Sequence, residues 1–280
     1  MDGPKFSFSK INTYKNCPQK YKINYIDKIR KNHESIEAFM GKRVHQVLEW
    51  FYYENKAHPS NFYPFDILLK KYNDFWNSYW HDNIYLAKQN YTIVKKANKK
   101  FKKYFSLNKN KDMIRQIGEI CLANYYKRYT KGFDENITAV ELKISVRIDH
   151  LNFNCIIDRL DSDGNGNYKI YDYKTGKKAI SHSAAMNDLQ LSLYQLAIKE
   201  NFKDCKGISL NWYYLRQDKI ITVNHTKDKI ANLRKKITYL IEKIKNDKNY
   251  MAKKSILCDW CYFWEECEVM VTSNPAKKLI

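Results

Sequence analysis

A chain of 280 residues is long enough to bury a full hydrophobic core, and its 50 lysines and arginines against 30 acidic residues leave a formal charge of +20. No apolar run approaches the roughly 20 residues that a membrane helix needs, which excludes a membrane-spanning reading. Seven cysteines, an odd number, and a start at Met1 to Lys5 without a signal peptide's basic and apolar regions set a disulfide framework aside. A reducing cytoplasm is the expected location.

Taken in chain order, Ser7 to Cys17 predicts a short helix, with Ser7 or Ser9 as N-cap and Pro18 closing it. A second helix is expected over about 35–54, where Phe39, Val44, Val47, Leu48 and Phe51 recur at helical spacing. From about 67 to 131 the pattern stays helical and strongly basic. Lys95, Lys96, Lys99, Lys100, Lys102 and Lys103 crowd one stretch there, and 108–111 reads as a loop. The pattern then changes: 139–148, 153–160 and 168–173 are short runs of β-formers separated by turn residues. A helix is expected over about 184–200, strands near 208–215 and 220–223, and a long basic helix over 227–245. This order describes an α/β core with an antiparallel meander. Asp161, Asp163, Asn165 and Asp172 superficially fit a calcium loop, but the twelfth position is Asp and strand-like segments flank it, so a turn between two strands is the reading.

The charge excess creates a positive field suited to a polyanion, with nucleic acid as the expected partner, and 23 tyrosines and six tryptophans add surfaces on which unpaired bases can stack. Two constellations carry chemistry. Asp158 lies near the end of one predicted strand, and Asp172 and Lys174 at the end of the next, so a hairpin brings both carboxylates to one place. Side chains repeat every two residues along a strand, which puts positions 172 and 174 on one face. Paired carboxylates call for a cation, and hard divalent ions such as Mg²⁺ take oxygen ligands. A lysine beside that ion can orient a water and offset charge on a phosphate. The second constellation is Cys258, Cys261 and Cys267, spaced C-x2-C-x5-C in an aromatic segment, with Cys17 near the other end of the chain. Thiolates at such spacing bind soft metals or iron–sulfur clusters, and spacing alone leaves zinc and iron–sulfur both open. Cys121, Cys155 and Cys205 lack partner spacing and read as small buried hydrophobes.

With these motifs the chain resembles the PD-(D/E)XK nuclease superfamily, and within it the RecB-like branch that includes the iron–sulfur nuclease domain of AddB and the CRISPR-associated exonucleases. Five blocks carry the likeness in order: Ser7 to Tyr21 around Cys17 and Pro18; Gly41 and His45; Asp158 to Asp161; Asp172 to Gly176; and Gln190 with Tyr194, followed by the cysteine triplet. The resemblance implies a restriction-endonuclease-like α/β core, a central mixed sheet flanked by helices, in a single nuclease domain over 1–280. Within it, 1–55 would carry the first cluster cysteine and His45, 56–135 a helical insertion, 136–250 the core, and 251–280 the cluster segment.

It further implies a catalytic Mg²⁺ or Mn²⁺ on His45, Asp158, Asp172 and the Tyr173 carbonyl, with Glu141 as an accessory candidate. Lys174 would position the attacking water, and Gln190 and Tyr194 would orient that site or the DNA backbone. Cys17, Cys258, Cys261 and Cys267 would hold a [4Fe–4S] cluster that staples the chain ends, with structural Zn²⁺ as the alternative. The implied activity is a metal-dependent deoxyribonuclease, an exonuclease acting on DNA ends or single strands in repair, recombination or CRISPR adaptation. No helicase P-loop is present, so any unwinding would come from a helicase or another repair or adaptation protein. The alternative is a non-catalytic DNA-binding iron–sulfur scaffold subunit. Cys155 stands where relatives usually have glycine, three residues before Asp158.

Overall fold

The computed structural model describes residues 5–58, 61, 63–87, 107–129, 136–271 and 276–278. The chain forms two compact units: one of Met1–Ile11, His45–Phe65 and Ile120–Asp247, the other of Asn12–Val44, Asp66–Glu119 and Lys248–Ile280. Strands β1 (Lys5–Phe6), β2 (Glu34–Ser35), β3 (Ile84–Ala87), β4 (Ile137–Ile148), β5 (Leu151–Ser162), β6 (Asn167–Lys174), β7 (Gly207–Tyr214), β8 (Lys219–Val223) and β9 (Ala276–Lys278) form two sheets. The helices are α1 (Phe8–Asn16), α2 (Pro18–Tyr21), α3 (Ile36–Ala57), α4 (Phe65–Ser78), α5 (Leu107–Tyr129), α6 (His182–Ala185), α7 (Leu189–Asn201) and α8 (Lys227–Asn246). No helix among the described residues is long and apolar enough to cross a membrane.

The first unit is built on a mixed sheet of order β1-β5-β6-β7-β8, with β4 on the other edge of β5. The hairpin β4–β5 is antiparallel over its whole length, and β6 continues antiparallel from Arg159↔Tyr171 to Ser162↔Tyr168. β7 then runs parallel to β6 from Asn167↔Gly207 to Lys174↔Tyr214, and β8 closes antiparallel. A parallel pair needs a crossover, and α7 supplies it. Its residues Leu191 to Ile198 are all buried, and it packs against β4, β5, β6 and β7. α8 is amphipathic and lays Leu233, Ile237, Ile241 and Ile244 inward. On the other side Asn124 and Arg128 of α5 tie to the β7–β8 turn, through Leu215 O at 2.8 Å and Asp218 Oδ1 at 2.8 Å.

The second unit has the small sheet β2-β3-β9 and an aromatic core. Phe39 meets Trp76 edge-on with ring centroids 5.0 Å apart, and Trp76 stacks on Trp80 at 5.7 Å. Gly118 lies so close to Tyr72 that a Cβ there would come within 2.1 Å of the hydroxyl.

Three sequence expectations are corrected. Ile84–Ala87, inside the stretch expected to be all helix, is a strand whose four side chains are all buried and which pairs on both edges. Full burial removes the alternation that marks a strand. Residues 108–111, expected as a loop, belong to α5, where the periodic pattern downstream carries the helix back through them. The single helix over 184–200 is two, because Asp188 turns out of helical geometry to cap α7. The lysine run 95–103 lies outside the described residues. The calcium-like loop is a self-closed turn: Asp163 Oδ1 accepts from Asn165 N and Asn167 N at 2.8 and 3.0 Å, and Gly164 and Gly166 take positive φ.

Candidate active site

The catalytic candidates assemble because β4, β5 and β6 are in register. Val140 pairs Arg159 and Leu142 pairs Ile157, so Glu141 stands opposite Asp158; Arg159 pairs Tyr171, so Asp158 in turn faces Asp172. Opposed residues share a sheet face. Glu141 has a left-handed backbone, φ +46°, which costs a non-glycine residue about 1–3 kcal/mol and turns its side chain off the regular strand direction.

His45 reaches this face from α3. Its Nδ1 stands 3.6 Å from Asp158 Oδ1 and 3.7 Å from Glu141 Oε1, and its Nε2 is 3.2 Å from the Tyr173 carbonyl. Among the described residues, His45, Glu141 and Asp158 form the one His/Cys/Asp/Glu group whose ligand atoms all lie within 4.8 Å of one another. Asp158 Oδ2 also accepts from Tyr173 N at 2.6 Å, which locks its orientation to β6. Burial alone would lower the His45 pKa, but Asp158 and then Glu141 outweigh it and hold it at about 9. Burial lifts Asp158 to about 7, with His45 opposing and Asp172 adding.

The donor set fits a hard divalent cation. Ligands at about 2.1 Å in an octahedron place neighbouring donors about 3.0 Å apart, so separations of 3.6–3.7 Å need only small side-chain adjustments. Asp172, expected as a ligand, is not in the triplet; its Oδ2 pairs with Lys174 Nζ at 2.5 Å. Lys174 Nζ also donates to Gln190 Oε1 at 3.1 Å, and Gln190 Nε2 donates to Tyr194 Oη at 2.9 Å. Gln190 and Tyr194, one turn apart on α7, thereby set the position of Lys174. Burial would lower the Lys174 pKa, but Asp172 and then Asp158 raise it above the ordinary lysine value.

Asp188 has no place in the sequence reading. Its Oδ1 accepts from Gln190 N at 2.8 Å and Leu191 N at 3.1 Å, fixing the first turn of α7. Burial raises its pKa, with Asp172 adding. An aspartate directly before the apolar run of α7 is an N-cap signal, but a helix assumed to start earlier hides it. Arg159, adjacent to Asp158, makes a bidentate pair with Asp161 on the opposite face, at 2.7 Å for both bonds. His182 begins α6.

In the second unit, Cys17, Cys258, Cys261 and Cys267 line one cavity of about 270 Å³, together with Gln19, Lys20, Trp260 and Phe263. Cys267 Sγ donates to Gln19 Oε1 at 3.2 Å, and Ser255 N donates to Cys258 Sγ at 3.4 Å. Burial raises the Cys261 pKa, Lys20 opposes it, and Cys17 and Cys267 add to it. No three of these thiols lie within 4.8 Å of one another. A zinc tetrahedron with Zn–S of 2.3 Å would put sulfurs about 3.8 Å apart, so the thiols are spread wider than a closed zinc site. Cys121 and Cys155 are buried as expected, whereas Cys205 is only partly so.

A model of the PD-(D/E)XK nuclease superfamily matches residues 5–268, and the chain belongs to that superfamily. The curated relatives include a subunit of the ATP-dependent helicase/deoxyribonuclease from three Clostridium perfringens strains, each 26% identical over 204 residues. The match covers 67% of this chain but spans only 17% of those proteins' length. A crystal structure of a provisionally named exonuclease from Eubacterium rectale aligns with 99% of this chain and 90% of its own, at 12% identity and a TM-score of 0.47.

Proposed function

We propose that this chain is a DNA nuclease that depends on Mg²⁺ or Mn²⁺ and acts on DNA ends or single strands, as one nuclease domain of the RecB-like branch. The observation that carries the reading is the convergence of His45, Glu141 and Asp158 beside the Asp172–Lys174 pair on one sheet face. His45, Asp158, Asp172 and the Tyr173 carbonyl would hold the cation, with Glu141 beside them. When bound, the cation activates water and offsets charge on the scissile phosphate.

The chain's own residues do the rest. Lys174, clamped between Asp172 and Gln190, presents an ammonium to the water and to a non-bridging phosphate oxygen. Tyr194 keeps the Gln190 amide turned with its oxygen toward Lys174. Water adds to phosphorus and the P–O bond to the leaving nucleotide breaks, giving one phosphate-ended product and one hydroxyl-ended product. The reading is tested with purified protein, labelled DNA and Mg²⁺ or Mn²⁺: cleavage should stop with EDTA and in Asp172→Ala and Lys174→Ala. Unchanged cleavage in those two variants would refute it, and salt-sensitive binding without cleavage would favour a DNA-binding scaffold.

The four cysteines are proposed to hold a [4Fe–4S] cluster, supported by the cavity that all four line. Anaerobically purified protein should be brown, and Cys17→Ala should lose the colour as fully as Cys261→Ala. Colourless protein with one zinc per chain would overturn the iron–sulfur assignment. The name of the clostridial relatives supports a helicase-associated setting as the context of this activity, in repair, recombination or CRISPR adaptation.

A further inference from the structure

The exposed flank of α8 carries a feature that catalysis does not use. With Leu233, Ile237, Ile241 and Ile244 buried, the outer surface presents half-buried Lys229 and exposed Asn232, Lys236, Tyr239 and Lys243. Their spacings of three, four, three and four residues keep them on one line along the helix. At 1.5 Å per residue the line is about 21 Å long. Tyr239, 63% exposed, sits within it. The acidic residues of the helix, Asp228 and Glu242, fall between these positions and occupy none of them.

One end of the line is tied to the catalytic side. Lys229 Nζ donates to Asn187 Oδ1 at 2.6 Å, and Asn187 directly precedes Asp188, whose carboxylate holds the amide of Gln190. Gln190 in turn holds Lys174. An ordinary solvated helix face intersperses acids with lysines at i,i+4 and needs no exposed ring. This line has lysines at near-regular intervals, a polar amide and an aromatic face, and the residue that anchors its first lysine lies three positions before a catalytic-site glutamine.

We propose that this line on α8 is the track for an unpaired DNA strand running to the catalytic groups, with Lys229, Lys236 and Lys243 on its phosphates and Tyr239 stacked on a base. The proposal rests on the nuclease reading of the site. A single strand is favoured because a ring held out between cations offers its face to an unstacked base, which a duplex withholds.

The experiment measures binding of labelled oligo-dT by anisotropy in EDTA, across a salt series, with cleavage in Mn²⁺ as a separate arm. Lys236→Gln with Lys243→Gln should weaken binding and reduce the slope of log K against log salt by about 1.4, at about 0.7 per lost phosphate contact. Tyr239→Ala should weaken binding about tenfold while leaving the slope unchanged. Arg234→Gln with Lys245→Gln removes the same charge from α8 off the line and should leave the slope near wild type. Equal effects of the two double variants would reduce the line to net charge and overturn the track. A blunt duplex that loses as much as oligo-dT on Tyr239→Ala would overturn the single-strand assignment. Wild-type cleavage with undiminished binding by the line variants would remove the track alone, whereas binding through the line without cleavage would remove the nuclease reading alone.

Discussion

Removing the carboxylate of Asp161 should destabilise the protein strongly without touching a catalytic group. Arg159 is fully buried and Asp161 only 5% exposed, and two parallel bonds of 2.7 Å join them. The guanidinium lies over the rings of Tyr129 and Tyr171, at 4.7 and 4.9 Å from their centroids. Burial alone would lower its pKa; Tyr173, Tyr125 and Asp161 outweigh burial and keep it charged. Asp161→Ala therefore takes a bidentate carboxylate away from a buried charge, and broken buried pairs cost about 3–5 kcal/mol. With an unfolding entropy of about 2.1 cal/mol/K per residue, near 0.6 kcal/mol/K for this chain, Tm should fall by roughly 5–8 °C in calorimetry. Arg159→Met combined with Asp161→Leu removes both charges and should recover most of the loss. Asp158 projects from the opposite face, so this double variant should keep its nuclease rate. A loss below about 1 kcal/mol in Asp161→Ala, or a double variant as unstable as the single, would refute the account.

Tyr194→Phe should lower kcat about three- to tenfold, the worth of one hydrogen bond to the Gln190 amide, while Gln190→Ala should cost more because Lys174 loses a direct partner; equal losses would disconnect Tyr194 from Lys174. Burial pushes the Cys121 and Cys155 thiols up to about 12, so both stay protonated at pH 8 and should resist iodoacetamide until the protein is unfolded, as peptide mapping would show. Gly166→Ala should cost about 1–3 kcal/mol in thermal unfolding, because φ is +89° there and a Cβ would sit 2.2 Å from the Asp204 carbonyl oxygen; an unchanged Tm would show that the turn gives way freely.

The parts of the site that lie close along the chain could be read from the sequence. A hairpin joining Asp158 to Asp172 and Lys174, and a one-turn spacing between Gln190 and Tyr194, are local regularities, and the structure places each pair as those regularities require. What the sequence could not show depends on register and backbone sign. Glu141 comes opposite Asp158 only because β4 pairs with β5 along its whole length, and its left-handed φ leaves no mark on residue identity. The partner of Arg159 was equally hidden: it directly follows Asp158, but strand alternation sends the two to opposite faces and hands Arg159 to Asp161. The same alternation explains why Ile84–Ala87 reads as helix, since burial on both faces erases the period that would identify it. The geometry of the candidate site is thus set by which strands pair and where one residue reverses its φ. The residue types supply the chemistry, the register brings Glu141 and Asp172 beside Asp158, α3 carries His45 to them, and alternation within β6 sets Lys174 against Asp172.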